Sequence, residues 1–321
     1  MHFKRAAIAL LFALVSSGMA HADTGQNAYE RGDYKAALDY WRPLANKGDT
    51  AAELKLGEMY ELGDGVEKDI KQALKWYRKA ADQGSAKAEF NVGTMYDNGD
   101  GVAKNDAEAI LWYRKAAEKG YADAQYNLAI MYDGGEGIAQ DHDQAIAWYR
   151  KAADQGKIEA QYNLAVMYRD GAGVPKDGNQ AVAWFRKAAD QGDPDAQYNL
   201  ATMYADGDGI AEDDAEAIVW FRKSADQNDV DAQYNLGVMY RDGEGVEKSG
   251  PIAVDWFEKA AAQNYVDAAI NLGVMYRDGD GVPVDWAKSF EWFSKAKAMG
   301  HDDNEPDDND TMPLQRKSIP I

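Results

Sequence analysis

QYNLGVMYRDGEGV, residues Gln233 to Val246, decides the fold because it recurs. QYNLAVMYRDGAGV occupies Gln161 to Val174, and QYNLAIMYDGGEGI occupies Gln125 to Ile138. A catalytic motif is needed once per site, whereas a string rewritten along one chain is a building unit. The Met-Tyr pair falls at Met59, Met95, Met131, Met167, Met203, Met239 and Met275, a constant step of 36 residues. Trp76, Trp112, Trp148, Trp184, Trp220, Trp256 and Trp292 keep the same step. Ala28 to Gly48 reads as an additional, shortened unit with a tighter turn.

Each unit carries two helix signals. Ala196, Leu200, Met203 and Tyr204 share one helical face, as do Ala181, Trp184, Phe185, Ala188 and Ala189 in the second segment. Between the two lies GDG, GEG or GAG and then Val or Ile, and the first Gly suits the left-handed residue that ends a helix. Asp69, Asn105, Asp141, Asp177, Asp213, Ser249 and Asp285 stand three residues further on as N-caps of the second helix. Gly84, Gly120, Gly156, Gly192, Asn228, Asn264 and Gly300 stand at its end, where Gly and Asn enter the left-handed conformation most readily. Ala129, Ala165, Ala201, Gly237 and Gly273 let helices approach, while Trp, Tyr and Met fill the space between. One such hairpin cannot bury its apolar face alone, but stacked neighbours can, so the expected fold is all-α, an α-solenoid of 36-residue helix-turn-helix repeats.

The first 22 residues differ in kind. Lys4 and Arg5 precede an apolar run, Ala6 to Val15, and Ala20-His21-Ala22 is a small-residue cleavage pattern. This reads as a secretory signal peptide cut after Ala22, with a periplasmic or secreted product. The apolar run is too short to span a bilayer, and no membrane span is expected after cleavage. The expected organisation is residues 1–22 signal, 23–48 degenerate repeat, 49–300 seven full repeats, and 301–321 acidic disordered tail. The chain has no Cys, which excludes disulfides, thiol chemistry and thiolate metal sites. Its formal charge of −20 disfavours nucleic acid and anionic membrane as partners.

The units resemble Sel1-like repeats, a branch of the tetratricopeptide superfamily. The likeness is carried by the first-helix Leu-Gly-x-Met-Tyr string, the GxGV turn, the capping Asp and second helices such as AIAWYRKAADQG, Ala145 to Gly156. It extends over about Asn27 to Gly300. The resemblance implies a right-handed solenoid whose first helices line a concave groove, and an adaptor role with a protein or peptide partner. It also implies that exported bacterial members act in envelope signalling or exopolysaccharide assembly. Some cysteine-rich members bind or hydrolyse β-lactams, but they carry paired cysteines that this chain lacks. A β-lactam- or peptidoglycan-directed envelope protein is the alternative reading.

On that groove the expected stripe is Leu54, Phe90, Tyr126, Tyr162, Tyr198, Tyr234 and Ile270, continued one turn on by Glu58, Thr94, Ile130, Val166, Thr202, Val238 and Val274. The rings suit both partner binding and packing on the neighbouring unit. Asn91, Asn127, Asn163, Asn199, Asn235 and Asn271 form a second stripe, read first as an inter-helix ladder and second as ligand contacts; Lys55 interrupts it. A third row, Glu61, Asp97, Asp133, Arg169, Ala205, Arg241 and Arg277, turns from acidic to basic and reads as solvated helix-end charge that could orient a partner. The turn acids Asp64, Asp100, Glu136, Asp208, Glu244 and Asp280 could in principle serve acid–base chemistry, but Ala172 breaks the series. No H-E-x-x-H, G-x-S-x-G or phosphate-loop motif is present, so neither catalysis nor a cofactor or metal is expected.

Overall fold

The structure, a computed structural model, describes residues 24–300. The expected signal peptide and acidic tail lie outside the described residues. Helix α1 (residues 24–30) and α2 (Tyr34–Ala45) form a short-turned hairpin with Gly32 at φ +76°. First helices follow as α3 (Thr50–Leu62), α5 (Ala86–Asn98), α7 (Ala122–Gly134), α9 (Ile158–Asp170), α11 (Pro194–Asp206), α13 (Val230–Asp242) and α15 (Val266–Asp278). They alternate with second helices α4 (Ile70–Asp82), α6 (Asp106–Glu118), α8 (His142–Asp154), α10 (Gly178–Asp190), α12 (Asp214–Ala225), α14 (Gly250–Ala262) and α16 (Trp286–Ala298). This is the α-solenoid class of tandem hairpins, and the described residues contain no strand. The chain divides into two compact units, one ending at Lys157 and one starting at Ile158. In each, every helix packs on the next in sequence.

Backbone hydrogen bonds explain the constant period. The N–H groups of Gly63 and Asp64 both donate to Met59 O, and the N–H of the cap Asp69 donates to Tyr60 O over 2.9 Å. Asn105, Asp141, Asp177, Asp213, Ser249 and Asp285 repeat the second bond to the Tyr carbonyl of their own repeat. The Met-Tyr pair therefore anchors both ends of the turn, and its length cannot drift without orphaning a carbonyl. Asp69, Asp141, Asp177 and Asp213 each accept the N–H of the third helical residue at 3.0 Å. Asp285 accepts from Ala287 and Lys288 at 3.1 and 3.0 Å. Ser249 departs from the expectation: its side chain makes no cap bond.

Both turn glycines have positive φ, +81° at Gly243 and +66° at Gly245. The second has a further reason to be glycine. A Cβ on Gly245 would lie 2.4 Å from Asp214 Cβ, at the start of the preceding second helix. Gly209 meets Gly178, and Gly281 meets Gly250, in the same way. Backbone thus packs on backbone between successive repeats. The Asn228 and Asn264 helix ends are the only described non-glycine residues with positive φ.

The rings at the centre of each hairpin are the residues after the tryptophans: Tyr77, Tyr113, Tyr149, Phe185, Phe221 and Phe257 are all fully buried. Gly57, Gly93, Gly237 and Gly273 face such a ring; a Cβ on Gly237 would lie 2.5 Å from Phe257. The tryptophans sit further out. Trp184, Trp220 and Trp256 are buried, while Trp76, Trp112, Trp148 and Trp292 are half-buried. Each indole is covered by the lysine three residues on, with Nζ between 3.5 Å (Lys187 on Trp184) and 3.9 Å (Lys79 on Trp76) from the ring centroid. Such cation–π contacts are worth about 0.5–1 kcal/mol where solvent reaches them.

Candidate functional site

The first-helix face is built on rings. Phe90 packs on Tyr113, Tyr126 on Tyr149, Tyr162 on Phe185, Tyr198 on Phe221 and Tyr234 on Phe257, with centroids 5.5–5.9 Å apart. Every ring of the stripe therefore joins the two helices of its own hairpin. The stripe is not equally open along its length. Phe90, Tyr126 and Tyr162 are half-buried, and Ile130 is 37% exposed. Tyr198 and Tyr234 are 4% and 0% exposed, so their rings are enclosed packing residues and present no surface to a partner.

The asparagine stripe bonds from one repeat to the one before. Asn199 Nδ2 donates to Tyr162 Oη at 3.3 Å and to Asp195 O at 2.8 Å; Asn271 does the same with Tyr234 and Asp267. Asn235 hydrogen-bonds Tyr198. In the first unit the phenol comes from the second helix instead: Asn91 bonds Tyr77, and Asn127 bonds Tyr113. The second-helix ring is Phe in the later repeats, and there the hydroxyl is supplied by the first-helix tyrosine. Each of these five asparagines keeps one phenol oxygen as partner while the helix that supplies it changes. Burial pushes the Tyr113, Tyr198 and Tyr234 hydroxyls up to about 12. These phenols are neutral hydrogen-bonding groups at neutral pH and are not activated nucleophiles.

The charge row is not a set of solvated helix ends. Tyr77 donates to Glu61, Tyr113 donates to Asp97 at 3.1 Å, and His142 Nδ1 lies 2.9 Å from Asp133. In the repeats of Phe185, Phe257 and Phe293 an Arg replaces the acid, and in that of Phe221 an Ala does. Arg169 lies 5.9 Å from the Phe185 centroid, and its NH1 donates to Asn199 Oδ1 at 2.7 Å. Arg241 is buried and donates to Asn271 Oδ1. Arg169, Arg241 and Arg277 each also pair with the next residue, Asp170, Asp242 and Asp278, at 2.6–2.7 Å. At Lys55, which interrupts the asparagines, an ionic cluster takes over. Burial works against the Glu58 carboxylate, but Lys87 and Lys55 outweigh it and hold its pKa below the ordinary value.

Sequence reasoning passed over a buried glutamine row. Gln125, Gln197 and Gln233 each donate to a carbonyl at the end of the preceding second helix, at 3.0–3.3 Å. Each also accepts from the terminal Gln of its own second helix, Gln155, Gln227 and Gln263, at 2.8–3.0 Å. Gln161 accepts from Gln191 at 2.8 Å. Glu53 and Glu89 replace this Gln in two repeats; Gln83 donates to Glu53 at 2.6 Å, and Lys119, in place of the terminal Gln, pairs with Glu89 at 2.6 Å. The signal was visible as the recurrent AQYNL and DQG strings, but nothing local ties residues 30 apart. Among the described residues no cluster of His, Cys, Asp or Glu is arranged to hold a metal ion. No described helix is long and apolar enough to cross a membrane.

These hairpins are Sel1 repeats. The Sel1 repeat profile matches residues 19–49, 50–85, 86–121, 122–157, 158–193, 194–229, 230–265 and 266–301, and the chain belongs to that family. It is similar to a protective antigen present in uropathogenic Escherichia coli strains displaying an SLR fold, at 35% identity and a TM-score of 0.83. That match covers 91% of this chain, which spans 64% of the longer antigen. It is also similar to a Sel1 repeat protein from Oxalobacter formigenes, at 37% identity and a TM-score of 0.64 over 75% of this chain and 99% of the other. No curated protein matches. The Sel1 repeat fold is that of a protein-interaction scaffold.

Proposed function

We propose that this chain is an exported, non-catalytic adaptor that holds a polypeptide along its first-helix face, in envelope signalling or envelope polymer assembly. The observation that carries this reading is the open stretch of that face. Phe90 and Tyr126 are only half-buried beside Ile130 and Thr94, while their inner edges are fixed by packing. A pre-organised apolar and aromatic surface binds with little ordering cost. Likeness to a protein described as a protective antigen supports export.

The test is capture of an envelope partner by wild type and by a variant carrying Ile130→Asp and Thr94→Asp, whose circular dichroism should match wild type. Loss of at least about tenfold in capture is expected for two charges placed on a binding face. Equal capture would refute the assignment of the face. The mass of the recovered chain tests export, since a product beginning at Asp23 is expected and an intact leader contradicts it. Turnover of a chromogenic β-lactam above a heat-killed control would overturn the non-catalytic reading.

A further inference from the structure

A guanidinium recurs at one place in the second unit. Arg169 and Arg241 donate to the amide oxygens of Asn199 and Asn271, thirty residues on in each case. The acid that follows each arginine holds it from its own helix. The turn of the next repeat adds a second charge, Asp208 near Arg169 and Asp280 near Arg241. The repeat between them keeps every part of this receptor but the arginine. Residue 205 is Ala, followed by Asp206, with Asn235 on the next first helix and Glu244 in the register of Asp208 and Asp280. Asn235 is 2% exposed, and its Oδ1 has no hydrogen-bond partner. A buried acceptor without a donor costs stability, and an amide oxygen enclosed this way calls for an N–H from elsewhere.

We propose that the place beside Ala205, which an arginine fills in the flanking repeats, receives an arginine side chain of a bound polypeptide, its guanidinium donating to Asn235 Oδ1 beside the carboxylates of Asp206 and Glu244. The inference rests on the reading of the first-helix face as a polypeptide-binding surface. Arginine fits and lysine does not, because in both neighbouring repeats one planar group reaches an Asp and an Asn at once through separate nitrogens. The backbone tolerates the group, since the flanking repeats carry it in the same register.

Calorimetric titration of the full chain with acetyl-Ala-Arg-Ala-amide, and with the same peptide carrying neutral citrulline, tests this. Saturable binding of the arginine peptide is expected, weaker by about tenfold or more for citrulline, as for loss of a charge-assisted hydrogen bond. Ala205→Arg should abolish binding and raise the melting temperature, because it supplies the donor from within the chain. Asp206→Asn, a milder change, should weaken binding several-fold. No binding by wild type, equal binding of citrulline, or undiminished binding by folded Ala205→Arg or Asp206→Asn would each overturn the proposal. If any of these is seen while the variant carrying Ile130→Asp and Thr94→Asp still loses its partner, the arginine site at Ala205 is refuted and the binding face stands.

Discussion

At the scale of single residues, this protein conserves interactions while exchanging the side chains that make them. Tyr77 and Tyr113 give their hydroxyls to a carboxylate and to the asparagine of the next repeat. Where Phe185 or Phe257 stands in that register, the asparagine turns to Tyr162 or Tyr234, and an arginine occupies the place of the acid. Loss of a hydroxyl in one helix is thus compensated in its neighbour, as buried polar groups require. The raised phenols have a consequence for pH. Tyr113, Tyr198 and Tyr234 ionise near 12 in the folded chain, against about 10 when unfolded. A raised pKa stabilises the fold fully below the unfolded value and ceases to do so as pH rises through the folded one. The melting temperature should therefore hold steady to about pH 10 and fall between about 10 and 12. A variant with all three replaced by Phe should lose less across that window, and an equally steep fall would contradict the assignment.

At the scale of helix and turn, two glycines that look alike in sequence carry different loads. Gly120 and Gly245 both have positive φ, +89° and +66°. A Cβ on Gly120 would meet nothing within 4 Å, whereas one on Gly245 would lie 2.4 Å from Asp214 Cβ. Replacing either with Ala costs about 1–2 kcal/mol for the left-handed backbone, and Gly245→Ala adds a steric clash between successive repeats. Urea denaturation should rank Gly245→Ala below Gly120→Ala; the reverse order would contradict the close approach. The element boundaries are legible in the sequence because each is marked locally, by Asp69 or Asp141 at one end and by Gly84 or Asn228 at the other. The candidate face is less so. The Tyr198 and Tyr162 strings are almost identical, yet one ring is enclosed and the other half-open. The difference lies in packing between residues of neighbouring helices, which the periodicity of a single helix does not encode.

At the scale of the whole molecule, eight matches to one repeat family supply a scaffold whose internal polar groups are largely committed to holding hairpins together. The tryptophans illustrate why sequence overstates some residues. Their strict spacing marks them as packing residues, but the centre of the hairpin belongs to the adjacent Tyr or Phe, and the indoles lie outside it beneath lysines. What the packing leaves to another molecule is surface on the first helices, around Tyr126 and Ile130, and an unmet amide oxygen at Asn235. Site-directed photocrosslinking in intact cells tests that division most directly, with a benzophenone amino acid placed at Ile130 on a first helix or at Leu111 on a second helix, both exposed. A discrete adduct from Ile130 and none from Leu111 is expected, whereas adducts from Leu111 alone, or from neither position, would contradict a partner held on the first-helix face.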